Sequence, residues 1–125
     1  MSAKTVLLVD DSPTMLMSLE GILTKAGYAV KKSPNAEAAL DLLKAGPKPD
    51  LMITDLYMGA MNGIDLIKAV RKLPNYRFMP ILMLTTESQQ DKRAEAKASG
   101  ATGWLVKPVK PDELLPIVKQ VVPGS

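Results

Sequence analysis

Four places in the chain combine residue types that can do chemistry. Two aspartates are adjacent at Asp10-Asp11, a third carboxylate stands at Asp55, two hydroxyls are adjacent at Thr85-Thr86, and a lysine precedes proline at Lys107-Pro108. Each place follows a short apolar run, such as Val6-Leu7-Leu8-Val9 before the first and Ile81-Leu82-Met83-Leu84 before the third. Three clustered carboxylates repel one another and are costly unless a cation joins them. With oxygen ligands alone, the hard cation Mg²⁺ fits, bound through one or two carboxylates, water and phosphate oxygens; Mn²⁺ is the alternative. Lysine binds phosphate as a point charge, and a threonine hydroxyl can donate to a phosphoryl oxygen. The set reads as a phosphoryl-transfer site with a carboxylate nucleophile.

Composition narrows the chemistry from the other side. The 125 residues include no histidine and no cysteine. That excludes a Ser-His-Asp triad, imidazole metal ligands, a histidine carrying its own phosphoryl group, disulfides and thiolate nucleophiles. The length corresponds to about one domain with a sizeable core. Net charge is +3, from 16 basic and 13 acidic residues, and the basic residues come singly or in pairs. Nucleic-acid binding calls for a clustered basic stripe with stacking aromatics, so no nucleic-acid partner is expected. No apolar run approaches the roughly 20 residues that span a bilayer, and the start lacks a signal-peptide cleavage pattern. A cytoplasmic protein without membrane insertion is the expectation.

The elements that must position these residues can be read from periodicity. Candidate strands at Thr5–Val9, Tyr28–Lys32, Leu51–Thr54, Pro80–Leu84 and Gly103–Val106 alternate with helices near Pro13–Ala26, Ala36–Ala45, Gly63–Leu73, Gln89–Ser99 and Pro111–Val121. Strands alternating with helices of this length predict a parallel sheet covered on both faces. Ser12-Pro13 supplies a cap and a first-turn proline, Asn35 and Ser88 are further cap candidates, and Gly27 and Gly100 close helices. Met15, Leu16, Leu19, Ile22 and Leu23 form one apolar stripe, and Ile64, Ile67 and Val70 another. The fourth helix offers only alanines to a core, which predicts a weakly anchored, movable element. Pro116 should bend or loosen the first turns of the last helix.

A single (βα)5 doubly wound domain follows, with right-handed crossovers. Ligands in such sheets bind beyond the carboxyl ends of the strands. Asp10-Asp11, Asp55, Thr85-Thr86 and Lys107-Pro108 all stand at those ends, and if the strand order is 2-1-3-4-5 they converge on one rim. Alone, each has a plain explanation as a helix cap, a turn aspartate, a strand end or solvated surface. Their conjunction on one face outweighs those explanations.

Val9-Asp10-Asp11-Ser12, Ile53-Thr54-Asp55-Leu56-Tyr57-Met58, Met61-Asn62-Gly63, Leu84-Thr85-Thr86 and Val106-Lys107-Pro108 resemble, in this order, the successive motifs of two-component response regulator receiver domains. The resemblance covers essentially the whole chain and is nearest to the single-domain chemotaxis regulators of the CheY type, carried there by Thr85-Thr86-Glu87-Ser88 and Gly100 to Pro108. It implies the flavodoxin-like order 2-1-3-4-5. It also implies that Asp55 is the phosphoacceptor, and that Asp10, Asp11, Asp55 and the backbone carbonyl of Tyr57 serve Mg²⁺. Thr85 and Lys107 would meet the phosphoryl group, Trp104 would occupy the aromatic switch position, and the Lys107-Pro108 bond would be cis. Trp104 stands where tyrosine or phenylalanine is usual, and Gly59 replaces a common proline.

On this resemblance the protein is a phosphorylation-activated signalling protein rather than an enzyme with a separate substrate, although it promotes its own phosphorylation and dephosphorylation. The donor histidine belongs to a separate histidine kinase, which accounts for its absence here. A receiver domain over residues 1–125 with no output domain must signal by protein–protein contact. The expected partner is the flagellar motor switch in chemotaxis, with a phosphatase as a further partner and the protein itself a monomer. The runner-up is a phosphate sink or phosphorelay intermediate. A haloacid-dehalogenase-like phosphatase is more remote, because that chemistry needs Asp-x-Asp after the first strand and the residues here are Asp10-Asp11-Ser12.

Overall fold

Alternating apolar runs and helical stripes resolve, in a computed structural model, into five strands and five helices; residues 3–86, 89–122 and 124 are described. The strands are β1 (Thr5–Val9), β2 (Ala29–Ser33), β3 (Leu51–Thr54), β4 (Ile81–Thr85) and β5 (Gly103–Val106). The helices are α1 (Pro13–Lys25), α2 (Ala36–Ala45), α3 (Gly63–Arg71), α4 (Gln90–Ser99) and α5 (Pro111–Val121). The sheet is parallel throughout, in the order β2-β1-β3-β4-β5. This is the doubly wound (βα)5 arrangement expected above.

Alternate side chains along each central strand feed two separate cores, because successive residues point to opposite faces. Val6 and Leu8 of β1, with Leu51, Ile53, Leu82 and Leu84, pack against Leu16, Leu19 and Leu23 of α1 and Leu114 and Val118 of α5. Leu7, Val9, Met52, Ile81 and Met83 pack against α2, α3 and Ala96 of α4. β1, β3 and β4 are buried along nearly their whole length, whereas edge strand β2 exposes Lys31 and Lys32. Charged residues on an edge blunt its tendency to pair with another chain.

Element ends differ from the periodicity reading where hydrogen bonding decides. β2 begins at Ala29 and not Tyr28, because the Tyr28 amide closes the α1 terminus on the Leu23 carbonyl at 3.0 Å while the Ala29 amide takes up Lys4 O at 2.9 Å. β4 starts one residue later, since Pro80 has no N–H and contributes only its carbonyl, to the Met52 amide at 3.0 Å. It continues to Thr85, whose carbonyl accepts from the Lys107 amide at 2.8 Å. α3 stops at Arg71: the Lys72 and Leu73 amides bond three residues back, tightening the last turn. Pro116 sits on the exposed side of α5, which runs unbroken through it. Caps at Ser12 and Asn35 form as expected, to the Met15 and Ala38 amides. Ser88 lies outside the described residues; the N-cap position of α4 is Gln89, which makes no side-chain cap hydrogen bond.

Candidate functional site

At the carboxyl end of the sheet, the ladder runs past the last residues of β1 and β3. The Asp10 amide donates to Ser33 O at 3.2 Å and the Asp55 amide to Val9 O at 3.0 Å. Backbone pairing therefore fixes where both aspartates start. Gly63, the first residue of α3, holds the second from below: its amide donates to Leu56 O at 2.8 Å, and a Cβ there would run into the Asp55 carbonyl. Asn62 caps α3 through the Asp65 amide at 2.8 Å. The Asn62-Gly63 pair thus seats α3 directly on the segment that carries Asp55.

The side chains converge. Asp10 is buried, Asp55 half-buried and Asp11 exposed, and each offers a carboxylate oxygen within 4.8 Å of the other two. Asp10 Oδ1 accepts from the Ser12 amide at 2.9 Å and Asp55 Oδ1 from the Leu56 amide at 2.7 Å. Their second oxygens face Lys107, whose Nζ lies 2.8 Å from Asp10 Oδ2 and 3.3 Å from Asp55 Oδ2. Desolvation is the largest single influence on the Lys107 ammonium and lowers its pKa. The hydrogen bond to Asp10 and the charges of Asp55 and Asp10 together outweigh it, leaving the pKa above the ordinary lysine value. Lys107 is therefore a fixed positive charge at neutral pH.

The Asp10–Lys107 pair was not anticipated from sequence, where Lys107 was matched only to a phosphoryl group. Three carboxylates and one lysine at neighbouring strand ends were signal enough, because a buried carboxylate requires a cationic or hydrogen-bonding partner. The remaining expected residues are placed as follows. Thr85 is fully buried at the end of β4, joined to Lys107 through the backbone. Tyr57 is 51% exposed in the loop after β3. Trp104, half-buried on β5, packs against the same core as α4 and forms part of the wall of a cleft of about 530 Å³ between them. The Lys107-Pro108 peptide bond is cis.

The donor chemistry fits a hard divalent cation: three carboxylates, all oxygen, with Asp11 open to solvent and no histidine or cysteine to favour a softer metal. Receiver domains in general bind Mg²⁺ at such an acidic cluster.

Comparison with known proteins places this geometry. Residues 6–119 match the family model described as response regulator receiver domain. The chemotaxis protein CheY of Thermotoga maritima is 38% identical over 120 residues, covering 94% of this chain and 97% of that protein. Protein PilH of Pseudomonas aeruginosa is 32% identical over 119 residues, covering 95% of this chain and 98% of that protein. Among solved structures, the chemotaxis protein CheY4 of Vibrio cholerae superposes with a TM-score of 0.91 at 42% identity, covering 96% of this chain and 99% of that one. The chain belongs to the response regulator receiver domain family, with a CheY-like fold.

Proposed function

We propose that Asp55 accepts a phosphoryl group from the phosphohistidine of a separate kinase, or from a small acyl phosphate, and that the acquired charge switches a protein-binding surface. The observation that carries this reading is the shared Lys107 ammonium, 2.8 Å from Asp10 and 3.3 Å from Asp55. A carboxylate nucleophile facing an anionic donor needs fixed positive charge more than it needs a base. Asp55 Oδ forms the new O–P bond as the P–N or P–O bond to the donor breaks, and the leaving group keeps that electron pair. Lys107 meets the oxygens on which charge accumulates. Asp10, Asp11, Asp55 and the Tyr57 carbonyl would hold Mg²⁺, which when bound neutralises the equatorial phosphoryl oxygens. Thr85, buried at the end of β4, would report the new acceptor oxygens to the chain leading into α4.

Incubation with Mg²⁺ and acetyl phosphate should add the mass of one phosphoryl group, and Asp55→Asn should abolish the gain. Survival of the gain in that variant removes Asp55 as acceptor. Tyr57, beside the acceptor and half exposed, would shield it from water, so Tyr57→Asn should change the decay rate of the phosphorylated form; equal rates sink the shielding role.

For output, we favour chemotaxis signalling to a flagellar motor switch protein by a cytoplasmic, monomeric, single-domain regulator, supported by the CheY relatives and by the cleft walled by Trp104 and α4. A titration against motor-switch peptide, with and without a phosphoryl mimic and Mg²⁺, tests it; absent or phosphorylation-independent binding counts against it. Similarity to PilH at a comparable level keeps a sink or relay role as the second reading, because likeness of this degree is not confined to proteins named for chemotaxis.

A further inference from the structure

The two ends of the sheet carry opposite charge. At the carboxyl end lie Asp10, Asp11 and Asp55, with further acids in the first turns of α2, α3, α4 and α5. At the amino end the order reverses. Lys25, Lys44 and Lys97 occupy the last turns of α1, α2 and α4, while Lys4, Lys48 and Arg77 stand in the segments entering β1, β3 and β4. Across those last turns and the loops that follow them, the only carboxylate among the described residues is Asp50, half-buried and accepting from the Thr5 amide at 2.8 Å.

Cations at helix C-termini complement the helix dipole and need no partner to explain them. That reason does not reach Lys4, Lys48 or Arg77, which lie outside the helices, although Lys48 also stands 5.9 Å from the centre of the Tyr76 ring. Nor does it explain Phe78, which is 91% exposed beside Lys4 and Lys48. Phe78 lines a cleft together with Lys4, Lys48, Asp50, Met79 and Val122, and still leaves nearly all of its surface in solvent.

We propose that this end of the molecule docks reversibly on an anionic lipid surface, with Phe78 entering the headgroup layer and the lysines and Arg77 meeting lipid phosphates. Charge complementarity selects the occupant. Only Lys4 and Lys48 share a cleft; the other cations stand at the ends of three helices and in the segment entering β4, a spread over a whole face that matches a planar array of anions better than a single peptide. A lone exposed aromatic beside cations suits an interface that is apolar a few ångströms below a charged layer. Docking in this sense leaves the acidic end, with Asp55, facing away from the lipid. It inserts no helix: among the described residues none is long and apolar enough to cross a membrane.

The test is sedimentation of the full chain with vesicles of phosphatidylcholine alone or mixed equally with phosphatidylglycerol, at low salt. At least tenfold greater binding to the anionic vesicles is expected, lost at high salt because screening shortens the reach of the charges. The triple variant Lys4→Glu, Lys48→Glu, Arg77→Glu should lower that binding at least tenfold. The control Lys92→Glu, Arg93→Glu, Lys110→Glu, with the same change of net charge elsewhere on the surface, should retain most of it. Phe78→Ser should weaken binding severalfold without altering its salt dependence. Circular dichroism and the acetyl phosphate reaction verify that each variant is folded. Equal loss in the two triple variants would reduce the effect to net charge and overturn the site. Equal binding to neutral and anionic vesicles would overturn it as well. Tighter binding to polyglutamate or duplex DNA than to vesicles at matched charge would reassign the face to a different polyanion.

Discussion

α3 and α4 are successive helices on the same face of the sheet, yet they are anchored in opposite ways. α3 buries Gly63, Ile64, Leu66, Ile67 and Val70 within nine residues, is capped by the Asn62 side chain, and presses its first residue against the Asp55 backbone. α4 buries Ala96 alone, has no side-chain cap hydrogen bond at its N-terminus, and follows directly on the chain that leaves Thr85. A set of hydrogen bonds from other elements ties down its far end. Gly100 adopts φ 115°, Arg71 Nη2 of α3 donates to Gly100 O at 2.7 Å, and the Ile81 amide donates to Thr102 Oγ1 at 3.0 Å. The Asp55 carboxylate thus rests on a rigid element, and the chain leaving Thr85 leads into a thinly packed helix that is tethered at its far end. A charge added at Asp55 cannot move α3 cheaply, but it can redistribute α4.

The largest effect that would break this comparison comes from emptying the anchor of α3. Ile67 is fully buried, so Ile67→Ala should destabilise the protein by roughly 3–4 kcal/mol in urea unfolding. A loss below about 1 kcal/mol would mean that α3 is no better packed than α4.

Next in size is Gly63→Ala. The methyl group meets the Asp55 carbonyl, a backbone atom that cannot swing aside, so the helix or the Asp55 segment must shift. A stability loss of roughly 2–3 kcal/mol is expected, together with slower phosphorylation by acetyl phosphate. Normal phosphorylation in a destabilised variant would separate the packing of α3 from the positioning of Asp55.

Much of this contrast was legible in the chain. Five strands and five helices, and the strand ends at which Asp10, Asp11, Asp55, Thr85 and Lys107 stand, follow from apolar runs and helical spacing, because these patterns record which face must leave water; the sheet order that brings those ends onto one rim came only from the family resemblance. The thin packing of α4 was visible in its alanines. Leu66 was not assigned to the core, since it falls outside the Ile64-Ile67-Val70 stripe; it is buried because α3 is covered over a wider arc than one stripe. Nor could spacing show that Lys107 would sit nearer Asp10 than Asp55, a difference set by where side chains settle between neighbouring strands. Arg71 carries no signal in the sequence beyond being one of the basic residues that come in pairs, here with Lys72. Its role depends on two carbonyls, Tyr76 O and Gly100 O, brought within reach only by the fold.

Arg71 gives the third test. Burial lowers the pKa of its guanidinium, whose two donors serve those carbonyls at 2.7 Å each. Arg71→Met keeps the aliphatic stem and removes both hydrogen bonds, so a loss of roughly 2 kcal/mol is expected. Hydrogen exchange should accelerate around residues 97–102 while the amides of α3 that face the core stay protected. Uniform acceleration across both helices would show that Arg71 supports the whole face instead of tethering the end of α4.

The smallest expected effect bears most directly on how α4 behaves. Ala96 is its one buried side chain, and Ala96→Gly removes a single methyl contact while lowering helix propensity, for a global loss of about 1 kcal/mol. Because the Arg71 tether is untouched, that loss should fall unevenly: the amides of the first two turns should exchange several-fold faster, and those next to Gly100 should change little. If the helix is held at its far end, weakening its middle frees the end nearest Thr85. Equal acceleration at both ends would mean that α4 opens as one unit, and phosphorylation would then have to shift the entire helix.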